Sequence, residues 1–165
     1  MKTQAARHGG TPSPSVTQRV WRYGPLLLWL LFISFASTSG FSAANTSQIF
    51  RPLLLWLFPT LSESRLETLH FFVRKMGHFT EYAVLGFFAW RAFVTSSNEF
   101  IQRRWFQLGS GLVVIYALLD EFHQRFEPSR TASIYDSGID VVGGLTVLLL
   151  CKLLGGKGRR EKSGV

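Results

Sequence analysis

Four apolar stretches, separated by polar connectors, set the pattern of this chain. The first begins at Pro25 and reads PLLLWLLFISFASTSGF, with no charge between Arg22 and Arg51. The others cover about 71–93, 105–122 and 139–154. A helix crosses a bilayer with roughly 20 mainly apolar residues. The first stretch meets that length over about 25–42 if its Ser/Thr-rich end reaches the interface, and Pro25 suits a first helical turn. Residues 49–59, IFRPLLLWLFP, are apolar but too short to cross. They predict a short interfacial or re-entrant helix bracketed by Pro52 and Pro59, with Trp56 at headgroup level. Residues 60–70 read as a separate amphipathic stretch, capped by Thr60 or Ser62. The expected fold is an all-α membrane protein: four transmembrane helices, plus the short helix after the first.

Polar residues interrupt these apolar stretches at one end of each helix. In the second, Lys75, His78 and Tyr82 recur at spacings of three and four, which puts them on one helix face, with Glu81 at its border. The third runs directly into Asp120, Glu121, His123 and Gln124, and Asp136 and Asp140 open the fourth. A charge at the bilayer centre costs roughly 2.5–3.5 kcal/mol on insertion scales. Several at one depth therefore call for shared partners. Gly77, Gly86, Gly143 and Gly144 predict close helix approach.

Charge fixes an orientation. The chain holds 18 Lys and Arg against 10 Asp and Glu, a net +8. Such a surplus could indicate nucleic acid, but the basic residues gather in the two tails and the 91–104 connector. Positive-inside reasoning then places both termini of a multi-pass membrane protein in the cytoplasm. All the unusual polar residues fall on its outer side. The expected organisation is a disordered basic tail over 1–22, a membrane domain over 23–154 and a second basic tail over 155–165. Cys151 is the only cysteine, which excludes an internal disulfide and any multi-cysteine metal site.

The segments KMGHFTEYAVLGFF (75–88) and DEFHQRFEPSRTASIYDSGIDVVGG (120–144), with the weaker FISFASTSGFSAANTS (32–47), resemble the VanZ-like family of small bacterial membrane proteins. The resemblance extends from about 25 to 154. It implies a helical integral membrane protein. The founding members are linked to low-level teicoplanin resistance, a role nothing in this sequence assigns to the chain. His78, Tyr82, Asp120, Glu121, His123, Gln124, Arg130, Asp136 and Asp140 match family-pattern positions. Pro128-Ser129-Arg130 stands where the family often has Pro-Gly before its arginine.

Several chemistries fit these residues. Lys75, Arg125 and Arg130 suit a phosphate or carboxylate, with the acids positioning the arginines. This predicts an outward-facing site for an anionic envelope lipid or a cell-wall precursor, with no enzymatic step and no cofactor required. A metal-dependent membrane hydrolase is the alternative, with His78, Glu81, Glu121 and His123 as ligands and a metal-activated water. A third reading is an ion-pair network that serves structure alone. A fourth is a proton-coupled carrier; four spans without a repeat would then require a homo-oligomer. Membrane lipids are the expected partners in every case.

Overall fold

A computed structural model describes residues 15–38, 43–126 and 133–161 of the chain. Among them the secondary structure is helical throughout: α1 Val16–Ala36, α2 Ala43–Leu57, α3 Glu63–Val94, α4 Glu99–Arg103, α5 Trp105–Gln124 and α6 Ile134–Glu161.

Helix α1 starts inside the segment expected to be a disordered tail. The reason is a capping box: Gln18 N–H donates to Ser15 Oγ at 3.3 Å, and Ser15 N–H donates to Gln18 Oε1 at 3.1 Å. Pro25 consequently lies in the helix interior rather than in its first turn. A proline there cannot bond the carbonyl four residues earlier. That carbonyl belongs to Trp21, and Arg91 Nη2 donates to it at 2.9 Å. Together with a 2.9 Å bond between Tyr23 Oη and Ser96 Oγ, this fastens α1 to the end of α3.

Two further expectations are corrected. Helix α2 begins at Ala43 and takes in Pro52, which faces outward and is exposed, so it does not open a two-proline bracket. Residues 60–70 are not a separate stretch. From Glu63 onward they are the first turns of α3, whose 32 residues run without a break. At the rise of a regular helix this is about 48 Å. Ser62 occupies its N-cap position without a side-chain hydrogen bond. An Arg51–Glu63 ion pair of 2.6 Å and a Thr46–His70 hydrogen bond of 3.3 Å hold α2 beside α3.

Helix α3 is the centre of the bundle and packs against α1, α2, α5 and α6. Tyr82, Leu85, Ala89 and Ala92 on α3 meet Leu26 and Ile33 of α1, Val113 and Ala117 of α5, and Leu148 of α6. Backbones touch where α3 meets α6. A methyl group added at Gly143 would collide with the Phe79 carbonyl, and one at Gly86 with the Gly144 carbonyl. The sequence expectation for these glycines therefore holds. Gly77 has no atom within 4 Å of where a Cβ would stand, so it is not a packing point.

Apolar side chains also face outward, among them Leu28 and Leu31 of α1, Phe71 and Phe72 of α3, Ile115 and Leu119 of α5, and Leu150 and Leu153 of α6. Among the described residues, Ile134–Gly155 of α6 is the one segment long and apolar enough to cross a membrane by length and composition. The charged groups on α3 and the acidic end of α5 dilute the apolar character of those helices.

Candidate functional site

The seam between α3 and α6 carries two polar rungs. Lys75 Nζ pairs with Asp136 Oδ1. One turn further along, His78 Nδ1 stands 3.2 Å from Asp140 Oδ1, close enough for an ion pair but outside hydrogen-bond geometry. The rungs are in register because 75 to 78 on α3 and 136 to 140 on α6 are each about one helical turn. Below them, the glycine contacts bring the two backbones close.

Helix α5 closes the third side. Asp120, Glu121 and Gln124 share its inward face and are buried. Both oxygens of Asp120 are engaged: Ser37 Oγ donates to Oδ1, and Gln124 Nε2 donates to Oδ2 at 2.9 Å. Ser37 belongs to the end of α1, so one buried carboxylate ties α1 to α5. Glu121 is close enough to His78 and Asp140 to interact electrostatically. Among the described residues, Glu121 Oε1 and Tyr82 Oη are buried without a hydrogen-bond partner. An unmet buried polar group costs about 1–3 kcal/mol, so this corner holds polar capacity that packing does not use.

On the other side of His78 lies an open groove of about 560 Å³, bounded by α1, α2, α3 and the end of α5. Trp29, Phe32 and Ala36 line it from α1, and Thr46 and Phe50 from α2. Arg74, His78 and Glu81 form a strip along α3, at the i, i+4, i+7 spacing of one helix face. The Trp29 indole donates to the Glu81 backbone carbonyl at 2.9 Å and closes the end of this strip. Arg74 is half-buried and makes no ion pair or hydrogen bond among the described residues. Its neighbour Lys75 points the other way, into the α3–α6 seam.

The family model described as VanZ/LLP1 matches residues 20–155, most of the chain. The chain belongs to the VanZ/LLP1 family. No curated protein and no solved structure matches it.

In this VanZ/LLP1 chain the sequence-selected residues separate into three sets. Lys75, His78, Tyr82, Asp120, Glu121, Gln124, Asp136 and Asp140 gather where α3, α5 and α6 meet. Glu81 stands apart from them on the groove wall, which His78 shares. His123 and Arg125 are exposed and turn away from the buried face of α5. Arg130 lies outside the described residues. His123 therefore cannot join His78, Glu81 and Glu121 around one ion. Among the described residues no group of three His, Cys, Asp or Glu side chains is arranged to hold a metal.

Arg74, Ser37, Trp29 and Thr46 were not selected from the VanZ/LLP1 sequence. Arg74 did carry a signal, since it has the same spacing to His78 and Glu81 that marks a shared face. Ser37 showed only as part of a Ser/Thr-rich helix end.

Proposed function

We propose that this VanZ/LLP1 protein is a multi-pass membrane protein whose groove binds an anionic envelope lipid or lipid-linked cell-wall precursor. Four spans, α1, α3, α5 and α6, with α2 at the interface, are the topology this reading uses. The outward apolar side chains on those four helices support it. Arg91, Arg103 and Arg104 cluster at the bundle end opposite the polar seam, which supports a cytoplasmic placement for that end.

The observation that carries the ligand assignment is Arg74. A half-buried guanidinium without a counter-ion among the described residues, on the wall of a mainly apolar groove, has the chemistry of an anion site. The aromatic and aliphatic walls suit the hydrocarbon part of the same molecule. The Lys75–Asp136 and His78–Asp140 rungs lie behind this wall and hold α3 at a fixed register on α6.

Flotation of purified protein with phosphatidylglycerol–phosphatidylcholine vesicles, against phosphatidylcholine alone, tests the reading. Arg74→Ala should weaken the anionic-lipid preference by at least about tenfold, the loss of one charge-assisted contact. Arg125→Ala, on the exposed side of α5, should not. Equal binding by wild type and Arg74→Ala would remove the basis for the assignment.

A further inference from the structure

Building on the groove as an anionic-lipid site, we infer that the protein is also a hydrolase of lipid phosphate monoesters, with His78 as its general base and Asp140 as the residue that positions it. His78 lines the groove one turn from Arg74 on the same strip of α3. Its Nδ1 is buried and faces Asp140 Oδ1 at 3.2 Å. Asp140 is 2% exposed and comes from a different helix. With Nδ1 on the buried side, Nε2 is the ring nitrogen that serves the groove. A carboxylate at ion-pair distance behind a histidine orients the ring by charge and stabilises the imidazolium formed when the far nitrogen accepts a proton. Anion clamp and base thus share one wall, with the carboxylate behind the base.

The ligand class follows from the same wall. A terminal phosphate monoester offers three free oxygens, which suit the Arg74 fork, and its single ester link lets the chain run along Phe32, Phe50 and Val84. A water in the groove gives a proton to His78 Nε2 as its oxygen bonds to phosphorus. The bond from phosphorus to the lipid oxygen breaks on the far side, in line with the attack; that oxygen takes a proton from groove water, and Nε2 returns its proton to that water. The products are inorganic phosphate and the lipid alcohol, and His78 ends neutral as it began. Arg74 stabilises the charge on the phosphoryl oxygens throughout. Among the described residues, the groups around the His78–Asp140 pair are Glu121 and Asp120 on α5 and Arg74, Lys75, Glu81 and Tyr82 on α3.

The test uses full-length protein in detergent and phosphatidic acid in phosphatidylcholine vesicles, with glycerol 3-phosphate as the soluble counterpart, all in ¹⁸O-water. Expected is phosphate release from the vesicles carrying one ¹⁸O. His78→Gln should slow release by about 10²–10⁴-fold, the usual worth of a general base, and far more than it weakens vesicle binding. Asp140→Asn should lower kcat with KM little changed. Binding without release in the wild type overturns the hydrolase and leaves the lipid site standing. Absence of binding overturns both. Release that survives His78→Gln overturns the role of His78, and equal cleavage of glycerol 3-phosphate overturns the lipid class. Should His78→Gln fail to fold, wild-type release that lacks the label overturns the mechanism.

Discussion

Lys75 of α3 and Asp136 of α6 form an ion pair across a seam where Asp136 is buried and Lys75 is only partly exposed. The pair lies one turn from His78 and Asp140, so α3 and α6 are held by two polar rungs above their glycine contacts. Removing one member leaves the other without its partner in a poorly solvated place. Breaking a fully buried pair costs about 3–5 kcal/mol; the partial exposure of Lys75 reduces this. Lys75→Met should destabilise the protein by about 1–3 kcal/mol, and Lys75→Met with Asp136→Leu should recover most of it. A double-mutant cycle of thermal unfolding in detergent measures the difference.

Glycines separate sharply by position. Gly143→Ala and Gly86→Ala each drive a methyl group into a facing backbone carbonyl, which cannot rotate away. Each should cost about 1–3 kcal/mol or more, as overpacking does. Gly138→Ala meets nothing within 4 Å and should be neutral or slightly stabilising, because alanine favours a helix over glycine by about 1 kcal/mol. Melting temperatures of the three variants, compared side by side, check the ranking.

Asp120 predicts an asymmetric response. Ser37→Ala removes a donor from this buried carboxylate, at a cost of about 1–3 kcal/mol. Phe35→Ala, two residues earlier on an exposed face of α1, should cost less. Proteolysis of the two variants in detergent distinguishes them: the Ser37 variant should open first where α1 meets α5.

Topology supplies a prediction independent of the ligand. With Cys151 replaced by Ser, a cysteine at Ser133 should label from outside intact cells and one at Ser97 should not. The opposite pattern would invert the placement of the polar seam.

Much of the bundle could be read from sequence because apolar runs and small residues encode it directly. Gly86, Gly143 and Gly144 announced close helix approach, and Asp136 and Asp140 announced a need for polar partners. The ends of elements were harder to read. Pro25 looks like a helix start, but the Ser15–Gln18 capping box begins the helix upstream, and the Trp21 carbonyl that the proline leaves unbonded finds Arg91, 70 positions away in sequence. Pro52 looked like a boundary, yet an exposed proline is tolerated inside α2. On α5, Asp120, Glu121 and Gln124 point inward while His123 points out. Nothing in the local sequence DEFHQ decides which arc meets α3; the packing partner does. Arg74 and Lys75 posed the same difficulty, since adjacent residues on a helix face directions about 100° apart. One enters the groove and the other the seam.

The backbone contacts at Gly86 and Gly143 have a mechanical consequence for the groove. Close-packed backbones neither compress nor slide, so α3 and α6 act as a fixed post. The opposite wall, made by α1 and α2, reaches α3 through side-chain bonds, among them the Trp29 indole and the Thr46–His70 bond, and reaches α5 through the Ser37–Asp120 clasp. Accommodation of a wider guest is therefore a property of the α1–α2 wall, whereas discrimination by charge belongs to the post. Changes at Phe32 or Phe50 should alter which chain lengths are accepted and leave the preference for anions intact.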